Sequence, residues 1–282
     1  MIQGRCLCGT VRWGYDGPTN AMSHCHCSIC RKLHGAPFAT FFSVAASDYQ
    51  VLAGADAIKR YETSPGFVRE FCGCCGSMTP IPLATGRVAI PAGSLDDDPG
   101  IRPTMHIFAA SKAPWVEITD DLAQHSAYPA GGPAEVPQPA RAGSGKAGAL
   151  GGSCQCGAVA FEVEEPFIAI HNCHCSRCRK ARAAAHTTNG FVPQDRFRYV
   201  KGEDKVQRYK APGAISFTQA FCEDCGSGLP RPREDMGVVI LPLAALDDAP
   251  ARGADDHIFT GSKAVWHEIT DALPQFEEGA KS

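Results

Sequence analysis

The sequence predicts a mainly β fold that occurs twice along the chain. The first observation is a pattern of cysteines that recurs in order in the second half. The second is a series of short apolar or alternating runs, separated by Gly and Pro roughly every 8–15 residues, which is typical of short strands. The third is a weak helix signal, with Ser28–Leu33 and Ser176–Ala181 as the best candidates. Together these observations favour two tandem domains of short antiparallel strands.

The strand predictions rest on side-chain pattern. Alternation of apolar and polar residues indicates a half-buried strand, and a short β-branched run indicates a buried one. The strongest strand segments are 9–15, 87–91, 158–163 and 238–243.

The internal repeat sets the domain boundaries. The matching segments are Gly4–Val11 with Gly152–Val159, Cys25–Lys32 with Cys173–Lys180, Phe71–Ser77 with Phe221–Ser227, and His106–Asp120 with His257–Asp271. The last pair is identical at 11 of 15 positions. We therefore predict a first domain at 1–128 and a second at 149–282. A linker rich in Pro, Gly and Ala joins them at 129–148.

Composition and charge exclude several classes of function. The chain has 282 residues, 44% of them hydrophobic, and a net charge of −3, which gives no reason to expect nucleic acid or an anionic membrane as a partner. The N-terminal residues show no apolar segment of a secretory signal, and we expect no membrane span. A cytoplasmic location follows as an expectation. In that reducing compartment, grouped cysteines indicate metal binding or catalysis more often than disulfides.

Four cysteines in each repeat have the spacing of a structural zinc site. A C-x-C pair and a distant C-x-x-C pair can each supply one side of a tetrahedron of thiolates. The first site would consist of Cys6, Cys8, Cys72 and Cys75, and the second of Cys154, Cys156, Cys222 and Cys225. Cys74 has Asp224 in the matching place, so it is either a spare thiol or an exchanged ligand.

The other three cysteines of each repeat form a C-x-C-x-x-C cluster. These candidate catalytic and metal-binding residues are Cys25, Cys27 and Cys30, and Cys173, Cys175 and Cys178. Three thiolates leave zinc one exchangeable position, and the negative charge of such a centre suits an incoming thiol better than water activation. The alternative is a closed site whose fourth ligand is His24, His26, His174 or a cysteine of the other group. Up to four zinc ions per chain are expected.

A basic pair follows each cluster. Arg31 and Lys32 in the first repeat, and Arg179 and Lys180 in the second, could offset the thiolate charge and bind the carboxylate of a substrate. A solvated pair on a surface turn is the competing interpretation.

Other recurring residues have weaker signals. Trp115 and Trp266 fit core packing, whereas His106 and His257 fit either a site or a hydrogen-bonded structural role. The Leu-Asp pairs at 95–96 and 246–247 indicate a turn after a strand.

Taken together, the motifs GxCxCGxV, CHCSxCRK, FCxxCG and HIFxxSKxxW resemble the glutathione-dependent formaldehyde-activating enzyme family, also called the CENP-V/GFA domain family. The resemblance covers nearly all of both repeats. It implies a β-tent fold around the four-cysteine zinc and a second zinc on the three-cysteine cluster. It also implies carbon–sulfur lyase chemistry, in which glutathione as co-substrate adds to formaldehyde at that second zinc. The expected partners are therefore a small-molecule thiol and an aldehyde.

The second repeat departs from the first at two glycines. Gly35 is replaced by Ala183 and Gly93 by Ala244, and loss of a glycine can close a backbone approach to substrate. Two other functions compete with the enzyme. One is a non-catalytic tandem zinc-binding interaction module, in which two joined copies gain avidity. The other is a redox sensor that uses neighbouring thiols.

Overall fold

The computed structural model describes residues 1–129, 146–215 and 217–280. The predicted linker, 129–148, lies mostly outside these residues, so the predicted domain boundaries stay a prediction. We call residues 1–129 the N-half and residues 146–280 the C-half. No helix among the described residues is long and apolar enough to cross a bilayer.

Short strands make up most of the N-half. In chain order they are β1 (Ile2–Arg5), β2 (Arg12–Tyr15), β3 (Met22–Cys25), β4 (Ala39–Ala45), β5 (Tyr49–Ala53), β6 (Ile58–Ser64), β7 (Phe67–Cys72), β8 (Ile81–Pro82), β9 (Arg87–Pro91), β10 (Pro103–Ile107) and β11 (Ala123–Gln124). They form a sheet of order β1-β2-β5, a larger sheet of order β11-β10-β3-β4-β9-β8, and the β6–β7 ribbon. All pairs are antiparallel except β10 with β3 and with β11.

The C-half repeats this arrangement. Its strands are β12 (Ala149–Ser153), β13 (Ala160–Glu164), β14 (Ala169–Cys173), β15 (Thr187–Pro193), β16 (Phe197–Lys201), β17 (Val206–Lys210), β18 (Thr218–Cys222), β19 (Arg231–Arg233), β20 (Val238–Pro242) and β21 (Asp256–Ile258). They form the sheets β12-β13-β16 and β19-β20-β15-β14-β21 and the β17–β18 ribbon. The middle strands β4 and β15 are buried along most of their length, although β15 begins with the polar residues Thr187, Thr188 and Asn189.

The described residues contain two α-helices, at the positions that the sequence predicted. Helix α1 (Ser28–His34) follows β3, and α2 (Ser176–Arg182) follows β14. Both end at a residue in the left-handed conformation, Gly35 with φ 56° and Ala183 with φ 50°. The predicted mainly β class and the predicted strand at 87–91 are confirmed, and a single turn of 3-10 helix precedes each Leu-Asp pair.

Contacts between the halves are reciprocal. Lys32 pairs with Asp247, and Lys180 with the matching Asp96. Thr119 Oγ1 lies 2.5 Å from Oγ1 of Thr270, its own counterpart. Because equivalent residues exchange contacts in this way, the halves are related by an approximate two-fold axis.

The apolar cores also cross between the halves. Trp266 of the C-half is 3% exposed and packs in the core around Phe42 and Ile90 of the N-half. Trp115 packs against a second core cluster, to which both halves contribute. The tryptophans were predicted as core residues, and the structure adds that Trp266 packs into the core of the opposite half.

Candidate metal centres

The four-cysteine groups come together as the sequence predicted. In the N-half, Cys6 Sγ lies 3.3 Å from Cys8 Sγ, and Cys8 Sγ lies 3.7 Å from Cys72 Sγ. The corresponding separations in the C-half are 3.4 Å and 3.8 Å. The β1–β2 hairpin supplies the C-x-C pair, and the end of β7 or β18 supplies the C-x-x-C pair.

This donor set fits zinc. Zn–S bonds of about 2.3 Å in a tetrahedron place the sulfur atoms roughly 3.8 Å apart, close to the observed separations. A serine supports each group in the same way. Ser77 Oγ lies 3.3 Å from Cys75 Sγ and accepts the Leu7 N–H, and Ser227 repeats these contacts in the C-half. Four thiolates around one ion would leave no position for a substrate, so a metal bound here would have a structural role.

Each three-cysteine cluster lies where a strand of the larger sheet meets a helix. Cys25 ends β3, Cys27 is the residue that caps α1, and Cys30 lies in its first turn. Cys27 Sγ accepts the Cys30 N–H at 3.4 Å, which fixes the sulfur at the start of the helix. The three sulfur atoms lie within 4.8 Å of one another. Cys173, Cys175 and Cys178 repeat this arrangement at β14 and α2.

No fourth ligand joins either cluster among the described Cys, His, Asp and Glu residues. His24 Nδ1 instead lies 2.8 Å from Thr40 Oγ1. His26 and His174 each lie within hydrogen-bond distance of another histidine, His106 and His257. The arrangement therefore favours a site with an exchangeable position over a closed one.

Crowding splits the pKa values within each cluster. Hydrogen bonding with Cys27 and then with Cys30 raises the pKa of Cys25 well above its usual value. Hydrogen bonds from Cys173 and Cys178 lower the pKa of Cys175 to about 3. Three sulfur atoms this close do not ionise together without a cation between them. Three thiolates with an open position are a donor set that zinc accepts.

Cationic side chains that the sequence analysis did not consider lie beside the clusters. Arg69, on β7, adds a positive charge near Cys27 and Cys30. In the C-half, Arg231, on β19, adds a positive charge near Cys178. These two arginines are not equivalent in the repeat, so comparison of the repeats could not have found them.

Three of the four predicted substrate-binding cations form hydrogen bonds or ion pairs within the chain. Lys32 Nζ lies 2.9 Å from Asp247 and also donates to the carbonyls of Ser153 and Ala245. Lys180 Nζ lies 2.8 Å from Asp96. Arg31 donates to the carbonyls of His26 and Ser111 and lines a cavity of about 260 Å³. Arg179 is half-buried and lies near Cys175. The two lysines therefore form ion pairs between the halves. The competing interpretation of a solvated pair on a surface turn does not fit them.

The two diverged glycine positions face the other half rather than a substrate. A Cβ on Gly93 would lie 2.2 Å from the backbone N and O of Ala184. A Cβ on Gly35 would lie 3.1 Å from Arg182 Nε. The expectation that these glycines admit a substrate is therefore wrong, because the opposite half occupies that space.

A cavity of about 1010 Å³ lies between the halves. Residues of both repeated segments, His106–Asp120 and His257–Asp271, line it. The cavity wall includes six histidines, which are His24, His26, His106, His186, His257 and His267. His106 Nδ1 lies 2.8 Å from His26 Nε2, and His106 Nε2 lies 2.9 Å from Asp120. His174, His257 and Asp271 repeat this chain with the same 2.8 Å and 2.9 Å separations. The recurring histidines are thus hydrogen-bonded residues of the cavity wall.

Cys74 belongs to none of these groups. It is exposed, and its counterpart Asp224 pairs with Lys205 at 2.7 Å. Of the two interpretations, the spare thiol fits this placement.

Comparison with known proteins finds one family in both halves of the chain. The family described as "Glutathione-dependent formaldehyde-activating enzyme" matches residues 1–111 and 149–262. A Halomonas elongata protein named "Putative glutathione-dependent formaldehyde-activating enzyme" is 32% identical over 128 residues, which cover 42% of this chain and 81% of that protein. A crystal structure of a Rhodobacter sphaeroides protein is 24% identical, with a TM-score of 0.29, and the match covers 36% of this chain and 92% of that one.

The family match covers both cysteine patterns, and it breaks off between them where the repeat does. The chain therefore belongs, through each of its two halves, to the glutathione-dependent formaldehyde-activating enzyme family.

Proposed function

We propose that this chain is a zinc-dependent carbon–sulfur lyase that joins a thiol such as glutathione to formaldehyde or a related aldehyde. The observation that carries the proposal is the three-cysteine cluster of each half, in which no fourth ligand completes the group among the described residues. Family membership and the name of the Halomonas elongata relative support the choice of thiol and aldehyde.

The six clustered cysteines would hold two zinc ions in addition to the two structural ones. Zinc bound by three thiolates supplies an open position at which an incoming thiol is held as its thiolate. The reaction forms a bond between the thiol sulfur and the carbonyl carbon, and the proton lost by the thiol ends on the carbonyl oxygen. The reverse reaction breaks the same bond. The chain contributes orientation of the two reactants and a buried setting for them.

The carboxylates of the thiol substrate need cations near the clusters. Arg69 and Arg231 lie beside the thiols of the N-half and the C-half. Arg31 and Arg179 stay candidates for the same role, whereas Lys32 and Lys180 already bind aspartates. A guanidinium can bind a carboxylate through two parallel hydrogen bonds, which would fix the position of the thiol.

The two clusters differ in access. Cys25, Cys27 and Cys30 are each no more than 5% exposed, whereas Cys175 is half-buried and reachable from solvent. We therefore expect the C-half cluster to carry the larger share of the turnover.

Exchange NMR with glutathione and formaldehyde tests the proposal, since it measures adduct formation and breakdown at equilibrium. The zinc-replete chain should accelerate exchange above the rate without protein, and Cys175→Ser should lower that acceleration more than Cys27→Ser. Cys74→Ser is the matched control, because this exposed thiol lies outside every cluster.

Exchange at the uncatalysed rate would contradict the proposal, as would cluster variants that behave like Cys74→Ser. A chain that holds four zinc ions yet does not accelerate exchange would favour the non-catalytic interaction module. Zinc absent from freshly reduced clusters would favour the redox sensor.

The chemistry proposed here needs reduced cysteines. The described cysteines are all free thiols, and fourteen of the fifteen fall into groups of metal-binding geometry. Both observations support the cytoplasmic location expected from the sequence.

A further inference from the structure

The C-half contains a cluster of three histidines that has no equivalent in the N-half. His174, His186 and His267 each offer a ring nitrogen within 4.8 Å of the others, and all three side chains are more than nine-tenths buried. Their ring centroids are 4.9 Å, 5.4 Å and 5.7 Å apart. The corresponding residues of the N-half are His26, Phe38 and Val116, which offer one ligand instead of three.

Hydrogen bonds set which nitrogen His174 presents. The Asp271 carboxylate can only accept, so the facing Nε2 of His257 carries the proton and donates to it. In a neutral His257 the other nitrogen, Nδ1, is then bare, and it accepts from His174 Nε2–H at 2.8 Å. His174 is therefore left with a bare Nδ1. That atom is buried, and it has no hydrogen-bond partner among the described residues.

A second nitrogen is in the same condition. His186 Nδ1 is buried, and it too lacks a hydrogen-bond partner within the described ranges 1–129, 146–215 and 217–280. Buried polar atoms without a partner cost free energy unless a ligand or an ordered water satisfies them. Two such nitrogens belong to one cluster of three histidines, so a ligand bound by this cluster could satisfy them.

We propose that His174, His186 and His267 bind a divalent transition-metal ion of the zinc class, separate from the thiolate centres. Neutral imidazole is a preferred ligand of such ions. The chain from His174 through His257 to Asp271 is the support that protein metal sites commonly give to a ligating histidine.

The site would open onto the cavity between the halves. His186 and His267 line that cavity, whereas His174 lies behind them and is fully buried. Three neutral histidines leave the ion its full positive charge, in contrast to the negative thiolate centres. A bound ion would therefore attract an anion or polarise a water in the cavity.

Cobalt(II) tests this proposal when it is added to the full chain loaded with four equivalents of zinc, enough for the four thiolate centres and none for the histidines. One equivalent should bind with visible ligand-field absorption and without the thiolate-to-cobalt charge-transfer band that the cysteine centres would give. The double variant His186→Phe/His267→Val should lose this equivalent. Both substitutions install the residues that the N-half carries at the same positions, Phe38 and Val116.

Two matched controls make the result specific. His24→Asn removes another histidine of the cavity and installs the Asn172 of the C-half, so it should keep the cobalt site. Asp271→Asn should weaken cobalt binding by about 10–100-fold, as loss of a supporting carboxylate does. Asp120→Asn, the same change in the N-half, should leave cobalt binding unaltered.

An unchanged zinc content in every variant shows that the chain has kept its fold. No binding of cobalt to the parent chain would overturn the proposal. So would a thiolate charge-transfer band, an equal loss in His24→Asn, or an unchanged site in the double variant.

Discussion

Several glycines of this protein are required by the opposite half of the molecule. A Cβ on Gly76 would lie 2.3 Å from the ring of Phe221, and one on Gly226 would lie 2.6 Å from the ring of Phe71. Both glycines also have a φ of +74°, which side chains rarely adopt. The glycine after each C-x-x-C pair therefore serves the turn at the metal and the contact between the halves at once.

Gly93→Ala separates the contact from the backbone effect, because Gly93 is not in the left-handed region. The new Cβ would meet the Ala184 backbone at 2.2 Å. Since backbone cannot move aside as a side chain can, we expect a loss of about 1–3 kcal/mol in the free energy of unfolding. Denaturant unfolding measures this change in the free energy of unfolding, provided that the m-value of the variant equals that of the parent chain. Gly279→Ala, whose nearest neighbour would be 3.9 Å away, is the control and should change stability little.

At the scale of elements, the two short helices both support the thiols and anchor the halves. Helix α1 carries Lys32 into a buried pair with Asp247, with 5% and 3% of the side chains exposed. Helix α2 carries Lys180 to Asp96 with 11% and 33% exposed. The same lysine–aspartate pair thus occurs twice, once fully buried and once partly exposed.

Asp247→Asn should destabilise the chain more than Asp96→Asn. The first change leaves a buried ammonium without its carboxylate, which costs about 3 kcal/mol or more, whereas a partly exposed pair contributes about 0.2–1 kcal/mol. Thermal and denaturant unfolding of the two variants gives the comparison. Equal losses would show that burial does not control the strength of this pair.

The sequence predicted the helices, the strand at 87–91 and the three-cysteine clusters because each depends on local spacing. It predicted the four-cysteine groups because both of their cysteine pairs recur in the second repeat. The partners of the lysines could not be predicted in this way, since Asp96 and Asp247 look like turn residues within their own repeat. His186 and His267 were not predicted as site residues for a different reason. Comparison of the repeats favours residues that recur, and these two histidines occur in one copy only. A search for differences between the copies would have found them.

At the scale of the whole molecule, the halves behave as a dimer within one chain. The C-half contributes Trp266 to the core of the N-half, and each half places a tyrosine against the other's four-cysteine group. Tyr209 packs beside Cys6, Cys72 and Cys75, and Tyr61 lies near Cys225 and Cys156. Metal binding at one four-cysteine group would therefore be coupled to the packing of the other half.

Cleavage of the predicted linker at an engineered protease site within 129–148 should leave the halves together. The cleaved chain should elute in size-exclusion chromatography at the position of the uncleaved one, because the reciprocal contacts do not depend on that segment. Separation into two species of half the mass would contradict this expectation. Cleaved Asp247→Asn should dissociate at higher protein concentration than cleaved Asp96→Asn.

The approximate two-fold axis of this protein passes between two copies that can change independently. In a dimer of identical chains, every substitution beside the axis appears twice, so a histidine at one wall would face a second histidine. Here Phe38 faces His186, its own counterpart, with ring centroids 5.5 Å apart. Covalent fusion of the copies lets one wall change while the other is kept. The chain can thus hold an asymmetric site inside a frame that is otherwise symmetric.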